Sequence, residues 1–186
     1  ASAKRIYEIL DEESPCFKKL ETINFSSFKE SICFENVSFS YEKKPVLSKI
    51  NLTINKGETI AIVGPSGCGK TTLINLILGF YKAEKGSLLI DKKPINKYIA
   101  SDLVSLIGLV SQDVVLFNDT IYNNIVLGNP VANRKIVESA AKTANAHEFI
   151  VEMPLGYDSI IGDMGVKLSG GQIQRLGIAR ALYRDP

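Results

Sequence analysis

The densest run of residues able to do chemistry is Gly64-Pro65-Ser66-Gly67-Cys68-Gly69-Lys70-Thr71-Thr72, which satisfies G-x-x-x-x-G-K-[ST] at every fixed position. Glycines let a backbone wrap closely around a polyphosphate with its N–H groups turned inward. A helix that begins at Gly69 adds partial positive charge at the same place. Lys70 has the length to reach β- and γ-phosphates, and the Thr71 hydroxyl is a hard oxygen donor suited to Mg²⁺. Cys68 stands at the helix start beside Lys70, where a thiolate is favoured, so a reactive thiol shielded by nucleotide is one expectation. A small residue that only fills the loop is the other.

Such a loop needs a strand before it and a helix after it. Thr59-Ile60-Ala61-Ile62-Val63 is apolar and rich in β-branched residues, so it predicts the strand. Leu73, Leu76, Ile77 and Phe80 fall on one face of the predicted helix. A glycine-rich turn between strand and helix is the plainer alternative. Upstream, residues 1–11 read as a helix with an Ile6, Ile9 and Leu10 stripe, and residues 12–30, polar and containing Pro15, read as a linker. From Ser31 apolar residues alternate through Ile32 and Phe34, then resume at Val37 and Phe39 after a change of phase that predicts a bulge at Glu35-Asn36. A second strand spans 46–54, after a turn at Lys43-Lys44-Pro45.

Downstream, the pattern predicts strands at 87–90 and 107–110 and helices at 99–106, 120–127, 134–145 and 147–152. Ser169 has the character of an N-cap for a final helix carrying Ile173, Leu176, Ile178, Ala179 and Leu182. Strands first, then strands alternating with helices, predict an α/β fold whose core is a mainly parallel sheet, with an antiparallel N-terminal β region.

The bulk numbers fit an ordinary globular chain. Over 186 residues, 45% are hydrophobic and 23% charged, with a net charge of +2. That balance is too mild to argue for a nucleic-acid surface. No apolar run is long enough to span a bilayer, and nothing resembles a signal peptide. Cys16, Cys33 and Cys68 are scattered and odd in number, which suits a reducing compartment.

A second cluster is sharper than the first. Leu168-Ser169-Gly170-Gly171-Gln172 runs straight into Ile173-Gln174-Arg175-Leu176-Gly177-Ile178-Ala179-Arg180-Ala181-Leu182. Serine at a helix start, two glycines and a glutamine make a second anion-binding N-terminus. Without its companion it would be only a capped helix after a tight turn. With the phosphate loop roughly a hundred residues earlier, it resembles the ATP-binding cassette of ABC transporters, over about residues 31–186.

That resemblance implies further roles. Tyr41 matches the aromatic residue that stacks on adenine, and Gln112 matches the glutamine that contacts Mg²⁺ and the attacking water and links the site to the membrane domain. Gly162-Asp163-Met164-Gly165 resembles the short loop of exporter-type cassettes, with Asp163 where the family often has glutamate. The helix and linker at 1–30 resemble the segment between a last membrane helix and an exporter cassette. The implied protein is an ATPase at the cytoplasmic face of the plasma (inner) membrane. Two cassettes close head-to-tail on two ATP molecules, each loop 64–72 facing a partner's Ser169, Gly170, Gly171 and Gln172. Lys70 and the backbone amides stabilise phosphoryl charge, while Thr71 and Gln112 hold the metal. A soluble cassette ATPase of translation or DNA repair is the alternative.

In the family, the residues after the position of Pro186 carry an aspartate for Mg²⁺, a glutamate acting as general base and a histidine that contacts the γ-phosphate. The expectation is that residues 1–186 alone bind ATP, hydrolyse it negligibly and tend to aggregate, since a missing general base alone costs about 10²–10⁴ in rate. His147, on a helix before Ser169, reads as a surface or core histidine and not as that switch residue.

Overall fold

The structure is a computed structural model that describes residues 4–5, 7, 10–11, 23–42, 44–129, 132–162, 165 and 168–186. Ile6 and Ile9 of the predicted N-terminal stripe and most of the polar linker lie outside the described residues, as do Lys43, Asp163 and Met164, whereas Leu10 of that stripe is exposed. The chain divides into two compact units, Ala1–Val104 and Ser105–Pro186.

The first unit is built on an antiparallel sheet of β1 (Ser31–Tyr41), β2 (Lys44–Asn55), β3 (Lys85–Ile90) and β4 (Lys93–Pro94), in the order β2-β1-β3-β4. The change of phase in β1 is a bulge. The register with β2 slips between Phe34 and Val37, and Asn36 takes φ 51. Its extra residue returns Val37 and Phe39 to the face that Phe34 already buries. Helix α1 (Lys70–Ile77) contributes Leu73 and Leu76 to a core with Phe34, Val37, Phe39, Leu47 and Leu88. Phe80 is not on this helix. The helix ends before it, Gly79 turns the chain at φ 73, and Phe80 is exposed.

Residues 59–63 and 107–110 belong to no ladder, so the parallel strands expected there are absent among the described residues. Val63 is 87% exposed and Leu109 48%. An apolar run becomes a strand only when a neighbouring backbone takes up its N–H and C=O groups, and no described strand lies alongside either run.

Part of the expected linker is tied down. The Ile23 amide donates to the Lys97 carbonyl at 2.7 Å, and the Ile99 amide donates back to Ile23 at 3.2 Å. The Asp102 carboxylate accepts from the Phe25 amide at 3.2 Å, and the Phe25 and Tyr98 rings meet at 4.7 Å. Asp91, in the turn between β3 and β4, accepts from the amides of Lys29, Glu30 and Ser31 at 2.9, 2.7 and 3.2 Å. Helix α2 (Ala100–Ser105) follows the sheet in the chain.

The second unit is helical, with α3 (Ile121–Val126), α4 (Arg134–Thr143), α5 (His147–Val151) and α6 (Gly170–Tyr183). Short polar side chains start three of them. Thr120 accepts from the Asn123 amide, Asn133 from Lys135 and Ser169 from Gln172. Their apolar faces meet in a core that includes Ile121, Ile125, Val137, Ala141, Ile150, Tyr157, Leu176 and Ala179. No helix among the described residues is long and apolar enough to cross a membrane.

Candidate functional site

In the first unit, the loop 64–72 enters α1 through Gly69, which takes φ 98 and caps the helix without a side-chain hydrogen bond. A Cβ at Gly69 would stand 2.8 Å from Leu47 Cδ2 and 3.1 Å from Val46 Cγ1, so the loop presses against β2 where only glycine fits. Gly64 and Gly67 also take positive φ, at 156 and 80. The Lys70 ammonium folds into the loop, donating to the Gly64 carbonyl at 2.9 Å and the Pro65 carbonyl at 2.7 Å, with Cys68 Sγ at 3.7 Å. A cation is therefore held over the loop by the loop's own carbonyls. The exposed residues here include Pro65, Ser66, Cys68 and Thr71, the last on the first turn of α1.

Thr72 is buried at the next position, and its hydroxyl lies 3.3 Å from the Tyr41 hydroxyl. The fold thus brings Tyr41, at the end of β1, to the start of the phosphate-loop helix. The sequence alone named both residues without indicating that they touch.

In the second unit, Ser169 and Gln172 form a reciprocal capping box. The Gln172 amide donates to Ser169 Oγ at 3.3 Å, and the Ser169 amide donates to Gln172 Oε1 at 2.8 Å. Gly170 and Gly171 lie between them, exposed, and a Cβ on either would meet nothing within 4 Å. Neither takes the left-handed conformation that would require glycine. The box uses the amides of Ser169 and Gln172, which leaves those of Gly170 and Gly171 as the first-turn donors that the helix itself cannot satisfy. Ser169 Oγ accepts within the box, so its own proton is available to an anion. A helix N-terminus with open backbone and a hydroxyl donor suits a phosphate.

Gln112 is exposed in an irregular segment of the same unit, where Ser111 Oγ donates to the Asp113 carbonyl at 2.7 Å. What holds this segment was not visible in the sequence. The Arg180 guanidinium, reaching from α6, donates to the Val115 carbonyl and the Asn124 carbonyl, both at 2.9 Å. Burial pulls its pKa down, with Arg184 adding to the effect, yet an arginine this perturbed stays charged. Asn124, 1% exposed, accepts from the Phe117 amide at 2.8 Å and donates to the Phe117 and Thr120 carbonyls, each at 3.0 Å. A Cβ on Gly177 would stand 2.7 Å from Val114 Cγ2, so the chain beyond Gln112 lies directly on α6. His147 is engaged elsewhere, its Nδ1 lying 2.9 Å from the hydroxyl of buried Tyr157, whose pKa burial pushes up.

Among the described residues no group of three or more histidines, cysteines or carboxylates could hold a metal ion. Taken each within its own unit, the Thr71 hydroxyl and the Gln112 amide oxygen are hard oxygen donors of the kind Mg²⁺ accepts, an ion that keeps waters and takes most of its ligands from phosphate oxygens.

A family model described as ABC transporter matches residues 47–186. The chain is 46% identical over 185 residues to the ATP-dependent lipid A-core flippase of Syntrophus aciditrophicus (strain SB), covering 100% of this chain and 31% of that protein. It is 45% identical over 188 residues to a relative in Bacillus subtilis (strain 168) that carries the name of a multidrug export ATP-binding/permease protein, covering 100% of this chain and 32% of the relative. A solved structure of a bacterial Atm1-family ABC exporter with ATP bound superposes with a TM-score of 0.92 at 37% identity, covering 99% of this chain and 32% of that one. The chain spans about a third of the length of these proteins.

Proposed function

The chain belongs to the ABC transporter family, and from that premise we propose that it is the ATP-binding cassette of an exporter, acting at the cytoplasmic face of the membrane. The observation that carries this reading is the pair Gly170 and Gly171, whose open amides serve no contact of their own unit. In the proposed assembly two cassettes meet head-to-tail, and each loop 64–72 presents its ATP to the Ser169 end of the partner's α6. The runs 59–63 and 107–110 take the places of strands in a mainly parallel core. Residues 1–30 join a transmembrane domain to the cassette at 31–186. Export is favoured over a soluble role in translation or repair by the names of the relatives and by the absence of a strongly basic composition.

Within this scheme Tyr41 offers a π-face to adenine, a contact worth about 1–3 kcal/mol and tolerant of the base. Lys70 exchanges its carbonyl partners for β- and γ-phosphate oxygens. Thr71 and Gln112 are the Mg²⁺ ligands, and the ion, when bound, neutralises phosphoryl charge. Gln112 also orients the attacking water. Ser169 and Gly171 contact the γ-phosphate across the dimer. Each ATP is then a charged bridge between cassettes, and loss of the γ-phosphate removes charge from it, which reopens the dimer and moves the membrane domain.

The test is ATP turnover by the full-length transporter in lipid, native against Lys70→Ala. The expected loss is about 10²–10³-fold, as for removal of one preorganised charge donor. Equal turnover would overturn the assignment.

A further inference from the structure

Tyr81 has no part in the scheme above, yet it is packed where that scheme needs rigidity. Tyr41 is the last residue of β1, 38% exposed, and Glu42 turns the chain immediately after it at φ 55. An aromatic side chain so placed has room to leave its rotamer unless neighbours restrain it. Phe39, two residues earlier on the same face, meets it with ring centroids 4.9 Å apart and planes at 90°. Tyr81 meets it at 5.2 Å and 89°, and also touches Phe39 at 5.3 Å. The two contacts of Tyr41 have the separations and perpendicular planes that aromatic quadrupoles favour, while the Phe39 and Tyr81 planes are tilted at 50°. Neither ring lies parallel to Tyr41, so neither takes the stacked position that a base would use.

Phe39 is 6% exposed and is explained as core, whereas Tyr81 is 41% exposed and is not. The segment that carries Tyr81 is fastened to the strand that carries Tyr41. The Glu84 amide donates to the Ser38 carbonyl at 3.0 Å, and Ser40 Oγ donates to the Glu84 carboxylate at 3.1 Å. Tyr81 therefore moves with β1, as a brace for Tyr41 must.

We propose that Tyr81 is a positioning residue for nucleotide recognition, holding the plane of Tyr41 so that its face is ready for a purine base. This rests on the reading of Tyr41 as the base-stacking residue. Removing the Tyr81 ring lets Tyr41 swing and lowers the fraction of time it is fit to stack. The loss falls on the base and spares the phosphates.

The experiment uses the full-length transporter in lipid with Tyr81→Leu, Tyr81→Phe and Tyr41→Leu. It measures KM and kcat for ATP and inhibition by inorganic tripolyphosphate, which has the phosphates but no base. Tyr81→Leu is expected to raise KM for ATP about 2–10-fold with kcat and tripolyphosphate inhibition unchanged. Tyr81→Phe keeps the ring and is expected to retain the native KM. An unchanged KM in Tyr81→Leu beside a raised KM in Tyr41→Leu overturns the role of Tyr81 and leaves the stacking reading standing. An unchanged KM in Tyr41→Leu overturns both. Weaker tripolyphosphate inhibition in Tyr81→Leu also overturns the proposal, because the damage then reaches the phosphate loop.

Discussion

The loop 64–72 and the N-terminus of α6 are both rich in glycine, but a different party requires the glycine in each. At Gly69 the requirement is internal, since φ is 98 and Leu47 and Val46 crowd the place of a Cβ. At Gly170 and Gly171 the backbone is ordinary helix with empty space around it, so the unit itself has no use for glycine there. On the function proposed above, glycines that gain nothing inside their own unit are explained by a nucleotide that must approach the backbone from outside. The first site is glycine for the sake of the fold, and the second, on that proposal, for the sake of a visitor.

Alanine substitutions separate the two cases. Gly69→Ala should be the most damaging. Holding an L-residue in the left-handed region costs about 1–2 kcal/mol, and crowding against β2 costs about 1–3 kcal/mol more. Chemical denaturation should show a loss near 3 kcal/mol together with loss of nucleotide binding, and a variant of native stability would break the contrast. Gly171→Ala should do the reverse. Its melting temperature is expected to hold or rise, while ATP turnover of the full transporter falls on the order of tenfold, about 1.4 kcal/mol of interaction at the barrier. Native turnover in that variant would remove the argument for an outside partner. In stability, a smaller loss than that of Gly69→Ala is expected of Ser169→Ala, which dissolves the capping box at a cost of about 1 kcal/mol. If denaturation registers no loss, the second site is held by its neighbours and not by its own cap.

The same contrast explains what could be read from the amino-acid order. Ser169 signals its cap because the partner, Gln172, is three positions away, and the loop 64–72 announces itself because all its parts are contiguous. The bulge at Glu35-Asn36 shows as a change of alternation within one strand. The runs 59–63 and 107–110 read as strands but join no ladder among the described residues, because an apolar pattern records a demand for a ladder without recording who supplies it. Periodicity alone puts Phe80 on α1, but the helix ends at Ile77 and Gly79 turns the chain before it. Arg180 and Asn124 left no trace of their role. Val115 lies 65 positions from Arg180, and a polar pair so distant has no period to detect. Tyr81 leaves no trace for the same reason, since its ring meets that of Tyr41 only after β1 and the chain beyond α1 come together.

The anchored segment ahead of β1 governs how tension would enter the cassette. The amides of Phe25, Lys29, Glu30 and Ser31 are stitched to Asp102 and Asp91, and Ile23 is sewn to both Lys97 and Ile99. A pull on the chain ahead of Ile23 meets the contacts of Ile23 with Lys97 and Ile99 first, then that of Phe25 with Asp102, and only then those with Asp91. It is delivered to the β3–β4 turn and the stretch 97–102 before it can tug on Ser31, which spares the edge where β1 begins its pairing with β2.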